Sequence, residues 1–96
     1  TATMALVAAN PQLAEIMAMP LAELSAGEQI QRRNFFLRFM KNLEFLFLEN
    51  KDRSAMPINM WRQGVNEPDN LQMWEESKQG FHNRFVEFVE TELIGR

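Results

Sequence analysis

The sequence predicts an all-α protein, a small orthogonal bundle of four to five helices around one long central helix. Three observations carry that expectation. Helix start and stop signals divide the chain into successive helical stretches. Strand signals are missing, because the chain has no tyrosine and no alternating β-branched run. One stretch, residues 26–50, has no proline, and no glycine after Gly27. At 96 residues, the chain has the length of one small domain with a single core.

The small apolar start, Thr1 to Ala9, lacks the basic opening of a signal peptide. It reads as a first helix or, preferably, as the stub of a longer upstream helix; residues 10–96 are then the domain. Asn10 and Pro11 are a cap and first-turn pair for a short helix carrying Leu13, Ile16 and Met17, which Pro20 stops. Leu21 to Leu24 is a connecting turn. Ser25-Ala26-Gly27-Glu28 is a capping box, in which the serine hydroxyl accepts from the Glu28 amide and the carboxylate reaches back. The long helix follows over 26–50 and ends in the polar run Asn50 to Ser54.

Met56-Pro57 opens a helix through Trp61 to Val65. Glu67-Pro68-Asp69 breaks the chain and starts another over 69–78, carrying Leu71, Met73 and Trp74, with an acidic first turn suited to a helix N-terminus. Gly80 is a C-terminal stop, and the last helix is expected over 81–94.

Turning about 100° per residue places Phe81, Phe85, Val86, Phe88, Val89 and Leu93 in one sector of the last helix, with Asn83, Arg84, Glu87 and Glu90 opposite. The long helix differs. Phe35, Phe36, Phe39, Met40, Leu43, Leu46 and Phe47 make one broad apolar stripe. Ile30, Leu37 and Leu48 make a second, with Phe45 beyond it. Only Gln31, Arg38, Asn42 and Glu49 remain as a polar side. A helix apolar around most of its circumference must be covered around most of it, by its neighbours or in part by a partner chain.

Several function classes drop out on composition. No cysteine is present, which excludes disulfides, thiolate metal sites and cysteine nucleophiles, and a single histidine excludes any site needing two. The net charge of −3 argues against a phosphate-driven nucleic-acid binder. Arg32, Arg33, Arg38 and Lys41 are the densest basic cluster, but they point to different sides of the helix and read as solvated or ion-paired. No apolar run approaches the roughly 18 residues of a membrane span. The four glycines are scattered, so no phosphate loop exists. His82 has no carboxylate at the Glu-x-x-His spacing and reads as a partly exposed helix-edge residue. Glu75, Glu76, Glu87 and Glu90 read as solvated. No cofactor, metal or catalytic residue is expected, and the chain is read as non-enzymatic.

Two features remain as candidate sites. Glu44 lies between the stripes, flanked by Met40 and Phe47 on one side and by Leu37 and Leu48 on the other. It is therefore expected to be half-buried, with Arg62, Arg84, His82 or an indole as partner. The seven methionines include Met60 beside Trp61 and Met73 beside Trp74, residue types that adapt to varied partners and apolar ligands. Met60, Trp61, Met73 and Trp74 are the candidates for an interaction groove or a small apolar pocket, against the plainer reading of an ordinary core.

The order of motifs resembles a family of small bacterial helical domains of unknown function, often preceded by a single membrane helix and a long connecting helix. The matching residues are Asn10-Pro11-Gln12-Leu13, Leu24-Ser25-Ala26-Gly27-Glu28, Asn42-Leu43-Glu44, Met60-Trp61, Glu67-Pro68, Trp74-Glu75, Phe85 and Phe88-Val89-Glu90, covering residues 10–94. Such domains often carry tyrosines in the long helix, where this chain has Phe45 and Phe47. The resemblance implies no activity and no catalytic residues. It implies an interaction or sensory role, with any membrane tether lying in an upstream segment. The expected location is cytoplasmic, or membrane-tethered and facing the cytoplasm. The expected function is protein–protein contact or self-association, with a homodimer as the simplest form; the alternative is binding of a small apolar ligand in a Met/Trp-lined pocket.

Overall fold

The structure is a computed structural model, and it describes residues 16, 18–50, 52, 54 and 56–96. Of the expected first helix only residues 16, 18 and 19 are described; its Asn10-Pro11 start, the apolar stub at 1–9 and the side chains of Leu13 and Met17 lie outside the described residues. Among the described residues all regular structure is helical. The elements are α1 (Ala26–Glu49), α2 (Ile58–Val65), α3 (Pro68–Ser77) and α4 (Asn83–Phe88), with short 3-10 turns and a π-helical turn between and after them. The chain divides into two compact units, Thr1–Phe39 and Met40–Arg96, and α1 runs through the division.

In the first unit, the 3-10 turn Leu21–Glu23 follows Pro20 and buries Leu21. The capping box forms as its spacing requires. The Ser25 amide donates to Glu28 Oε1 at 3.0 Å, and the Glu28 amide donates to Ser25 Oγ at 3.2 Å. Gln29 Nε2 donates to the Leu24 carbonyl at 3.1 Å and ties the turn to the helix. Ile16, Leu21, Leu24 and Phe36 are buried. Arg32 is buried as well, which removes the solvated one of the two positions expected of it, solvated or ion-paired.

The Ser25 amide, then its hydroxyl, holds the Glu28 carboxyl below its ordinary value of 4.5. The stabilisation from this ionised cap is therefore present above the ordinary carboxylate range, and it fades as pH falls through the lowered value. Glu28→Ala is expected to lower the melting midpoint at neutral pH, with the gap to wild type closing in strong acid. Circular-dichroism melts at the two pH values check this; equal gaps would mean that charge plays no part in the cap.

The second unit holds the core. From α1, Met40, Leu43 and Phe47 are buried; from α2, Trp61 and Val65; from α3, Met73 and Trp74; and from the last stretch, Phe81, Phe85, Phe88, Val89 and Leu93. Asn50 closes α1, its amide nitrogen donating to the Leu46 carbonyl at 2.9 Å. Two asparagines finish α2. Asn66 Nδ2 donates to the Arg62 carbonyl at 2.7 Å, and Asn70 Nδ2 to the Gly64 carbonyl, also at 2.7 Å. Pro68 stands in the first turn of α3, where its missing N–H is not needed.

The last stretch departs from expectation at both ends. Helix α4 starts at Asn83, after a 3-10 turn at Lys78–Gly80, and Phe81 is extended although buried. His82 is the cap: its Nδ1 accepts from the Arg84 amide at 3.1 Å. Beyond Phe88 the helix widens into a π-helical turn, Val89–Ile94. It stops at Gly95, whose φ of 87° lies in the left-handed region that glycine enters without the steric penalty of a Cβ. The Gly95 and Arg96 amides both donate to the Glu90 carbonyl, at 2.9 and 2.8 Å.

The long helix is covered on one stripe only. Phe36, Met40, Leu43 and Phe47 are buried, while Phe35 and Phe39 are half-buried. The second stripe is open: Ile30 is 60% exposed and Phe45 62%, and Leu37 and Leu48 are exposed too. The expectation of cover around most of the circumference is corrected here. Apolarity at a helical spacing states which side chains gain from burial; it does not supply an element to bury them.

Candidate functional site

Glu44 is half-buried, as its position between the stripes predicts, and of the expected partners it meets His82, through the backbone. Its Oε2 accepts from the backbone N–H of His82 at 2.7 Å, not from the imidazole. Its Oε1 lies 3.5 Å from Lys41 Nζ, one turn back on α1. Lys41 in turn donates to the Gly80 carbonyl at 2.8 Å and sits 4.2 Å from the centre of the Phe81 ring. Glu44 and Lys41 together pin the turn at residues 80–82 to α1, with the carboxylate at the positive end of α4. Arg62 and Arg84 are not its partners. The role this geometry supports is positioning of a turn.

Because Lys41 is itself exposed, removing Glu44 strands no buried charge. Glu44→Ala is expected to cost about 0.5–2 kcal/mol, the scale of a lost helix cap, and Glu44→Gln less, since an amide oxygen still accepts from His82. Urea denaturation of the two variants checks the order. A loss of several kcal/mol in both would point to a buried partner instead.

The Met/Trp candidates do not gather into one groove. Trp74 and Met73 are buried in the core, as is Trp61, whereas Met60, the next residue to Trp61, is 68% exposed. The helical turn separates Met60 from Trp61 by about 100°, so only one of them faces inward. The two indoles belong to a ring cluster. Trp74 meets Phe81 with centroids at 5.3 Å and Phe85 edge-on at 6.1 Å. Trp61 meets Phe88 edge-on at 6.5 Å, and Phe47 stacks on Phe88 at 4.5 Å. Tilted and edge-on pairs of this kind add about 0.5–1.5 kcal/mol each beyond burial. These rings pack on one another. A surface concavity of about 220 Å³ in this unit is lined by Phe47, Arg84, Glu87, Phe88, Thr91 and Glu92, and so by neither a methionine nor a tryptophan.

Sequence reading missed Glu90, which it assigned to the solvated face. Its Oε1 accepts from Lys78 Nζ at 3.0 Å and from the Trp74 indole N–H at 3.4 Å, and its Oε2 from Arg96 Nε at 2.6 Å. Glu75, also read as solvated, pairs with Lys78 at 3.0 Å and with Arg96. The only hint in the sequence was that a buried indole needs an acceptor for its N–H. Arg62 was likewise missed as a cap: its guanidinium donates to the Glu92 carbonyl at 3.0 and 3.2 Å, near the end of the π-helical turn. Asn66 does the same for the Leu93 carbonyl at 2.8 Å.

Among the described residues, no group of three or more His, Cys, Asp or Glu side chains stands together to hold a metal ion. Among them, too, no helix is long and apolar enough to cross a membrane. No family model, curated protein or solved structure matches this chain.

The remaining candidate is the open face of α1, where Ile30, Leu37, Phe45 and Leu48 stand exposed on a single helix. Scattered apolar side chains are ordinary on a protein surface; a row of them along one helix is the pattern that marks contact with another chain.

Proposed function

We propose that this chain is a non-enzymatic helical interaction module, working by protein–protein contact or self-association through the open face of α1. The observation that carries the reading is the exposure of the second apolar stripe, with Phe45 standing 62% in solvent. The acid–base side chains with specific geometry, Glu44 and Glu90, are committed to a backbone amide and to ion pairs, which is structural work. The interaction role implied by the motif order is consistent with this assignment. The packing of Trp61, Met73 and Trp74 on core partners weighs against the apolar-ligand reading, which needs those side chains to line a pocket.

Light scattering over a series of protein concentrations tests the proposal. The mean mass of the wild-type chain is expected to rise with concentration, and that of Phe45→Ser to stay at one chain. A wild-type mass equal to one chain at every concentration would overturn the self-association reading.

A further inference from the structure

We infer that the open face of α1 is built to meet a second copy of itself, antiparallel, about a two-fold axis level with Leu43. This rests on the contact role proposed above and adds the partner and the register.

The side chains concerned stand on one continuous helix, whose own geometry sets their spacing. Leu37 and Leu48 lie on one flank of the open face, Arg38 and Glu49 on the other, and Phe45 lies between the flanks. Leu37, Phe45 and Leu48 are exposed, as are Arg38 and Glu49. No ion pair within the chain engages Arg38 or Glu49 among the described residues, although Lys41, Lys78 and Arg96 all find carboxylates. Lys41 also points toward this face by its position, but it is drawn aside to the Gly80 carbonyl and the Phe81 ring. Phe45 is thus left as the apolar side chain at the centre.

A two-fold interface uses the same patch on both copies, so each residue must suit the residue that the axis sets against it. When two helices pack antiparallel, like flank meets like flank. An axis level with Leu43 then sets Leu37 against Leu48 of the second copy. On the other flank it sets Arg38 against Glu49 of the second copy. Each pairing occurs twice. The two Phe45 side chains flank the axis, about 6 Å apart along the helix direction at 1.5 Å per residue. One register therefore satisfies the leucines, the phenylalanine and both free charges together. A parallel pairing in register sets unlike flanks together, so that Arg38 meets Leu37 of the second copy and Glu49 meets its Leu48, which leaves both charges unmatched against apolar side chains. An unrelated partner would have no reason to match a charge pattern that is complementary to its own reverse.

Sedimentation equilibrium at low salt on wild type, Arg38→Glu, Glu49→Arg and the double variant tests this. Each single reversal is expected to weaken the dimer about tenfold, by placing two like-charge contacts across it. The double reversal is expected to restore association toward wild type, because the pairs are then opposite again. Melting curves of the four proteins should agree in the monomer range, since both positions are exposed. If wild type associates and Phe45→Ser does not, but the double reversal fails to restore the dimer, the register is wrong while the contact role stands. If wild type stays a monomer throughout, both the second copy as partner and the self-association reading fall.

Discussion

Phe85→Ala is expected to destabilise the protein by about 3–5 kcal/mol, the scale of deleting a core aromatic ring. Phe85 is wholly buried, and it touches four rings: Phe47, Trp74, Phe81 and Phe88, at centroid distances of 5.9, 6.1, 5.6 and 6.4 Å. It joins the Trp74 side of the cluster to the Trp61 side through Phe88. The cavity left by the ring is walled by stiff, flat side chains that cannot turn to fill it, which places the cost toward the upper end of the range. A small domain has about 5–15 kcal/mol in total, so the variant should be partly unfolded at moderate temperature. Guanidinium titration followed by tryptophan fluorescence measures it directly, since both indoles lie in the cluster. A loss below about 1 kcal/mol would show that the rings are not the core.

The second large effect separates two apolar residues two positions apart on the same helix. Leu43 is 1% exposed and Phe45 is 62% exposed. Leu43→Ala is expected to cost about 2–5 kcal/mol, whereas Phe45→Ala should stay within about 0.5 kcal/mol of wild type at concentrations where the chain is monomeric. The larger side chain is the dispensable one, because stability follows the area removed from water and not the size of the residue. Comparable losses at both positions would mean that the second stripe is covered after all. Phe39 belongs between these cases: it is half-buried, and it loses the full core penalty that its place in the broad stripe implies.

Features carried by neighbours in sequence were legible before the structure. The capping box at Ser25 and Glu28 is an interaction over three residues, so its spacing alone forms it. The starts of α2 and α3 follow from Pro57 and Pro68 for the same reason, whereas α3 ends at Ser77, ahead of the stop expected at Gly80, which closes a 3-10 turn instead. The half-burial of Glu44 was readable from its flanks, and His82 stood among its expected partners, but the donating group was not readable: a backbone amide 38 positions away leaves no trace in residue identity. His82 was read as a partly exposed helix-edge residue, within a helix expected to begin at Phe81. It became the cap when Phe81 was pulled out of the helix into the ring cluster. Glu90 escaped because a solvent-facing position on an ideal helix becomes half-buried when a second element crosses it and the turn widens into a π-helix.

By itself, the sequence determined that the described chain is helical, where most of its helices begin and which face of each is apolar, because caps, breakers and periodicity act within a turn or two. Tertiary structure alone decided which of the two apolar stripes of α1 is covered and which carboxylates take ion pairs. It also decided that the indoles serve the core. Those outcomes depend on which distant segment arrives at a given surface, and the free energy of burial is blind to that until the segment is there.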